Sequence, residues 1–533
     1  MSKIDEIITY HNRTKHLPYA YAAGPDYLDW ESQPNPFRDY DGTEKIDLPF
    51  LDDEDPLNYA SLFQQNTEIP HPLNKEGIGL LFEYALGLAV WKESSGTRWA
   101  LRCNPSSGNL HATEGYLVTG DIPDVKGGIY HYNSFFHHLE KRCPLEKITL
   151  PQKTILVGLS SIHWREAWKY GERAYRYCQL DIGHAVASFA YSCRLLGWQI
   201  EVLTEPGDKD IASLLGIDRK GDYAEAEEES PDLLLAISCN KQKEEILFEE
   251  LLAGIKECLW QGKANVLSPE HAYEWPVIEF AEKATEKPHT KENVWKNNAF
   301  PQFLPTSCEK SAAHIIKTRR SAQAFDGKTT LKLRDFTRML DMTLPRRELP
   351  PWSAFPWKTK ANLFVFIHRV DGLEPGLYAF IRNPEALEGL KKAVKKDFLW
   401  EQQKNLPDNF PLYLLKKGDF QGTARSISCN QHIASDSAFS LGILAEFKDV
   451  LEQGSWNYRR LFWEAGAIGQ VLYLEAETVG FRGTGIGCYL DDLFHDLLGL
   501  EGNAFQDMYH FTVGTPLVDS RLSDIPPYDH LKR

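Results

Sequence analysis

The chain has 533 residues, of which 42% are hydrophobic, 25% charged and 12% aromatic. That length suits two or three domains with sizeable cores and excludes a disordered chain, a collagen-like repeat or a small disulfide scaffold. A balance of 59 Lys and Arg against 75 Asp and Glu, net −16, excludes nucleic acid as the expected partner, since that binding rests on neutralising phosphates. No stretch approaches about 18 uninterrupted apolar residues, so no membrane span is expected. Met1 to Thr14 lacks an apolar signal segment, and the expected location is the cytoplasm. Nine cysteines without a CxxC pair read as reduced, mostly structural thiols.

In chain order, residues 1–70 are rich in Pro, Asp, Tyr and Asn from Leu17 onward and read as an arm around the body. Residues 71–245 form a first half. It opens on Arg102 and the loop Pro105-Ser106-Ser107-Gly108-Asn109. That loop is either a Ser/Asn turn or a heterocycle-binding rim of hydroxyl and amide groups, with Arg102 as an added charged donor. Tyr116-Leu117-Val118 and Gly128-Ile129-Tyr130 predict a strand hairpin. Lys169-Tyr170 precedes the run Arg173 to Tyr177, and Asp181 to Leu196 predicts a helix apolar nearly all round. His184 within it reads as a satisfied helix histidine.

Residues 246–305 read as a connection. An amphipathic helix spans Glu245 to Leu259, and Ser268 to Pro301 looks like a surface linker. Residues 306–533 form the second half. Arg319-Arg320-Ser321 near its start is either a solvated face or a phosphate fork. A hairpin follows at Phe364-Val365-Phe366 and Gly376-Leu377-Tyr378, then a helix from Ala465 to Val479, then Gly483-Thr484-Gly485-Ile486-Gly487.

The halves share landmarks at fixed offsets. Tyr175, Asp181, Gly183, Gly197 and Gly216 each have a counterpart 283 residues on, in Tyr458, Glu464, Gly466, Gly480 and Gly499. The hairpins match at 248, which predicts a 35-residue insertion around Lys391 to Ser435. Self-similarity of this kind indicates a diverged duplication. The expected fold is α+β, two helix-and-antiparallel-sheet halves joined as an intrachain pseudo-dimer. Gly183 and Gly466 predict close packing between the paired helices.

These elements resemble the nitroreductase-like FMN flavoproteins, and more closely their azoline-dehydrogenase (SagB-like) branch, in tandemly duplicated form. The resemblance covers most of both halves. It implies that Arg319, Arg320 and Ser321 hold the FMN phosphate, and that Pro105, Ser106, Ser107 and Asn109, with Arg102, meet the isoalloxazine ring. It also implies ring contacts from Gly483, Thr484, Gly485 and Gly487. Val513 to Pro516 and Arg521 resemble the closing strand and its basic phosphate partner. Lys169 and Tyr170 match the pair implicated in catalysis. Dehydrogenation needs a base for one hydrogen while the flavin takes the other as hydride.

The reciprocal pieces are worn down. Arg13-Thr14-Lys15-His16 opens the first half, Pro351 to Phe355 replaces the ring loop, Ile200 to Thr204 lacks glycines, and Glu452-Gln453 replaces Lys-Tyr. One good and one degenerate flavin site are therefore expected, in a chain that can be monomeric. The expected activity is an FMN-dependent dehydrogenase acting on a small molecule or a heterocycle-bearing peptide. An NAD(P)H-dependent nitro- or quinone reductase and a flavin-free scaffold remain as alternatives. No metal motif is present.

Overall fold

The computed structural model describes residues 1–50, 57–64, 70–145, 150–240, 246–256, 258–295, 300–305 and 308–531. The sequence-drawn boundaries at 245 and 306, the start of the Glu245–Leu259 helix and part of the Ser268–Pro301 linker fall outside them. The described part of that connection carries helices at Phe248–Ile255 and Pro276–Ala284. The second of these lies within the stretch read as linker.

Two seven-stranded antiparallel sheets dominate the architecture. The first contains β1 (Glu44–Asp47), β2 (Thr113–Thr119), β3 (Gly128–Asn133), β4 (His138–Pro144), β5 (Thr154–Ser161), β6 (Gln199–Val202) and β7 (Ser230–Ser238). Their spatial order is β1-β4-β3-β2-β5-β7-β6. The second contains β8 (Ala361–Ile367), β9 (Gly376–Phe380), β10 (Glu401–Gln402), β11 (Leu412–Lys417), β12 (Phe439–Glu446), β13 (Arg482–Ile486) and β14 (Phe505–Gly514), in the order β10-β11-β9-β8-β12-β14-β13. Apart from the edge strands β1 and β10, the two sheets have the same strand order. Central strands such as β2, β5, β8 and β14 are buried at every residue. Their apolar and aromatic runs are what strands covered on both faces require.

The helices repeat the match. A shift of 283 carries α1 (Ala174–Leu195) onto α3 (Asn457–Thr478), and α2 (Asp208–Leu215) onto α4 (Asp491–Leu498). A shift of 248 carries β2 onto β8. The extra chain of the second half is split by β11 rather than gathered in one insertion. Helix Leu387–Ala393 and β10 precede β11; helices Gln421–Ile427 and His432–Asp436 follow it.

The helices α1 and α3 pack on each other at the paired glycines. A β-carbon on Gly183 would collide with the Trp463 carbonyl, and one on Gly466 with the Leu180 carbonyl. Leu180 and Trp463 are themselves 283 residues apart, so the contact is reciprocal, as across a twofold axis. The buried ion pairs obey the same rule. Arg176 Nη1 donates to Asp491 Oδ1 at 2.8 Å, and Arg459 Nη2 to Asp208 Oδ1 at 2.7 Å.

Both chain ends lock the halves together. In helix Lys3–Arg13, His11 meets Tyr458 Oη at 3.3 Å and Gln506 Oε1 at 3.1 Å, and Arg13 Nε donates to Glu172 at 2.8 Å. At the other end, Ser523–Ile525 pairs with Leu88–Ser94, which also pairs with Thr97–Arg102. The tail of the second half thus completes a small sheet over the first, beside the cavity described next.

Candidate functional site

A cavity of about 680 Å³ lies where the halves meet. The first half contributes Lys92, Trp99 and Arg102 from the small sheet, the loop Asn104–Asn109, and Tyr170, Tyr177, Asp181 and His184 from the helices. The second contributes Arg319 to Gln323, Tyr473, Arg482, Thr484 to Cys488, Tyr509 and part of the tail. Among the residues singled out from sequence, Arg102, Pro105, Ser106, Ser107, Asn109, Tyr170, Arg319, Arg320, Ser321, Thr484, Gly485 and Gly487 line this one space, although up to 385 residues separate them in the chain.

Three do not. Gly483 lies behind the wall, where its carbonyl accepts from Ala322 N at 3.1 Å and pins the Arg-Arg-Ser segment to β13. Arg521 turns away into solvent, its guanidinium folded onto Asp519 through Nε at 2.9 Å and Nη2 at 2.7 Å. The carboxylate beside it in sequence captures the charge, so Arg521 is not brought to the cavity. Lys169, on helix His163–Tyr170, is half-buried just outside the lining, its ammonium 5.4 Å from the Tyr170 ring centre.

The ring loop is held from below. Ser106 Oγ donates to Asp181 Oδ2 at 2.7 Å, and Ser107 N and Oγ donate to Asp181 Oδ1 at 3.0 and 2.9 Å. The two hydroxyls expected to meet a ligand are thus spent on positioning their own loop. Asn109 Nδ2 likewise donates to Ala100 O at 2.9 Å. Gly108 has φ +58°, and a side chain there would strike the Tyr170 hydroxyl; glycine is required on both counts. Buried Asn104 Oδ1 has no hydrogen-bond partner among the described residues, leaving an acceptor on the wall.

Burial pushes the Asp181 carboxyl up to about 7, against the opposing pull of the Ser106 and Ser107 donors. Burial and the neighbouring Asp181 also raise Glu166, one turn before Tyr170. A raised carboxyl favours the protonated folded state, so Asp181 supports stability most fully below the ordinary Asp range. That support declines as pH rises through about 7. Asp181→Asn is expected to flatten this fall between pH 4 and 7 in urea midpoints; an unchanged slope would contradict the assignment.

Beside the start of the ring loop the wall is basic. Arg319 is buried, donates to Cys103 O and Arg102 O at 3.1 Å each, and lies 5.0 Å from the Tyr473 ring centre. Arg320 donates to Lys317 O and Arg319 O at 2.7 Å each. Burial, then the charge of Arg319, lowers Arg320 to about 10. Cationic groups crowded this way gain from a bound anion. Ser321 Oγ meets Tyr473 Oη at 2.8 Å, and Tyr473 Oη accepts from Gly485 N at 2.9 Å. One β13 amide expected to face a ring is therefore engaged by a tyrosine.

Asp181, Tyr473 and Tyr509 line the cavity without having stood out as site residues in the sequence. His184, buried in α1 as its reading as a helix histidine implies, also lies on the wall. The His184 Nε2 faces Tyr509 Oη at 3.4 Å on the cavity wall. Burial, then the charge of Arg319, holds its imidazole down to about 3, so it is neutral. The signal available was a polar residue on an otherwise apolar helix, with Asp181 and His184 three apart and hence on one face.

At the counterpart of the ring loop the space is filled. There the turn Trp352–Ala354 packs against β6, and Trp295, Trp352, Phe355 and Trp357 leave about 20 Å³. Arg460, the counterpart of Tyr177, lies 4.6 Å from the Trp357 ring centre and pairs with Glu292 at 2.7 Å. Trp295 N donates to Pro356 O at 2.8 Å. The connecting segment is thus drawn into the space that stays open on the other side.

The open cavity fits FMN by its donor set. It offers a buried cationic end for a phosphate, the Asn104 acceptor for an imide N–H, and the aromatic walls of Trp99, Tyr473 and Tyr509 for a flat ring. Among the described residues, no helix is long and apolar enough to cross a membrane.

No family model matches the chain. A curated relative, the trifolitoxin-processing protein TfxB of Rhizobium leguminosarum bv. trifolii, is 29% identical over 171 residues, covering 29% of this chain and 46% of that protein. The chain thus spans about half the length of the curated relative it matches. The crystal structure of a candidate nitroreductase from Anabaena variabilis is similar with a TM-score of 0.69 and 21% identity, covering 96% of this chain and 99% of that one. This end-to-end likeness, with the repeated sheets and helices, identifies the chain as an α+β protein of two nitroreductase-like halves.

Proposed function

We propose that the chain is an FMN-dependent dehydrogenase of the azoline-dehydrogenase type, with one flavin between its halves and a heterocycle-bearing peptide or related natural-product intermediate as substrate. The observation that carries this reading is the cavity built from both halves, cationic at Arg319 and Arg320 and walled by the Asp181-held loop. TfxB is by its name a trifolitoxin-processing protein, which supports a natural-product substrate class. Bound FMN supplies a two-electron hydride acceptor.

The chain's own residues do the rest. Arg319 and Arg320 would hold the phosphate of FMN, and Trp99 and Tyr473 would exclude water from its ring. Tyr170, wedged between Gly108 and Tyr177 with ring centres 4.7 Å apart, orients the substrate beside Lys169. After losing its own proton to solvent, the neutral Lys169 amine would accept the substrate proton at Nζ. Being half-buried, it can return that proton to solvent.

Anaerobic mixing tests the direction of electron flow. An azoline-containing peptide should bleach the yellow protein while NADPH leaves it oxidised. Rapid bleaching by NADPH alone would replace this reading with the nitro- or quinone-reductase one.

A further inference from the structure

Two cysteines meet beside the cavity, and the flavin reading gives them no role. Cys488 lies on the wall just past β13. Cys429 lies in the turn between helices Gln421–Ile427 and His432–Asp436. Both are free, half-buried thiols. Hydrogen bonds clamp the two segments on either side of the sulfurs. Leu490 N donates to Ile427 O at 2.7 Å, and Gln431 Nε2 to Cys488 O at 3.2 Å. Cys429 and Asn430 have φ of +51° and +59°, a left-handed conformation costly for both. It reverses the chain between those two clamps, where the Cys429 thiol faces Cys488.

The arm adds a histidine. His16 Nδ1 accepts from Ala22 N at 3.0 Å, which leaves its proton on Nε2, the ring nitrogen free to serve the neighbouring Cys488. The Cys429 hydrogen bond, then His16 and the charge of Arg173, hold the Cys488 thiol below its ordinary range; Cys429 is pushed up by the same contact. One sulfur is thus prepared to attack and the other to resolve. Cys143 and Cys258 also adjoin, but burial raises Cys143 and no histidine serves that pair.

We propose that Cys429 and Cys488 form a reversible dithiol–disulfide site, oxidised by small disulfides of the glutathione class. The Cys488 thiolate attacks one sulfur of the oxidant. The oxidant's S–S bond breaks, and the first glutathione leaves as a thiolate that takes a proton. Cys429, giving up its proton, then displaces the second glutathione from Cys488. Two cysteine hydrogens and two electrons thereby pass to the oxidant, which is reduced to two thiols. The bridge covalently joins the 427–431 turn to the strand end carrying Gly487 and fixes that side of the cavity. None of this depends on what occupies the cavity.

The test treats the full-length protein with oxidised glutathione at neutral pH, then alkylates and maps it without reduction. The expected product is a peptide pair joined through Cys429 and Cys488, with two of the nine thiols lost. Cys429→Ser should instead retain a glutathione adduct on Cys488. In the reduced protein, Cys488 should alkylate at least about tenfold faster than Cys258. Nine free thiols after equilibration, or a bridge mapped to Cys143 and Cys258, would overturn the proposal. The wild-type map decides the matter even if the variant folds poorly.

Discussion

Replacing Arg459 with alanine is expected to destabilise the protein by about 3–5 kcal/mol, because it leaves one buried charge without its partner. Arg459 and Asp208 bridge the halves with side-chain exposures of 4% and 11%. The Asp208 carboxylate keeps only the Lys287 backbone N–H, at 3.1 Å. Asp208→Ala should cost less in the Arg459→Ala background than alone, giving a coupling measurable by urea denaturation. The mirror pair responds differently. Asp491 also accepts from Arg173, at 3.1 Å, so Arg176→Ala should be milder. Equal effects for the two arginines would contradict this account of the interface.

Lys169→Ala is expected to lower turnover by about 10²- to 10⁴-fold, the usual contribution of a positioned general base, while the protein stays yellow. Lys169 lies outside the lining of the cavity, so cofactor retention should not depend on it. Lys169→Arg should not rescue the rate, because a guanidinium does not give up its proton near neutral pH. The check is turnover alongside flavin absorbance for each variant. A colourless Lys169→Ala protein would move Lys169 from proton transfer to cofactor binding.

Much of the fold was legible because the two halves share residues that packing constrains. Gly183 and Gly466 are small where two backbones touch, and Arg176 and Arg459 each meet a buried carboxylate of the other half. Those positions kept the 283-residue offset visible. The insertion was harder to read, since β11 divides it and a length difference does not say where strands fall. Within the site, the loop and the Arg-Arg-Ser segment were legible by residue type. The direction of the side chains was not. Ser106 and Ser107 bind Asp181, and Arg521 binds Asp519, because a nearby carboxylate decides such matters at a distance of a few ångströms. His184 is a helix histidine as its position implies, and the apolar helix around it hides which face opens on a cavity. The filling of the second position depended on Trp295 and Glu292 from the connection, a segment without a counterpart in the repeat.

The central claim is one flavin site shared by two halves, with its pseudo-equivalent closed by tryptophans. Releasing the flavin from purified protein and measuring FMN per chain tests it directly. The account predicts a ratio near one. A ratio near two would mean that Trp295, Trp352 and Trp357 do not close the second site, and protein that neither carries nor takes up FMN would contradict the flavin reading itself.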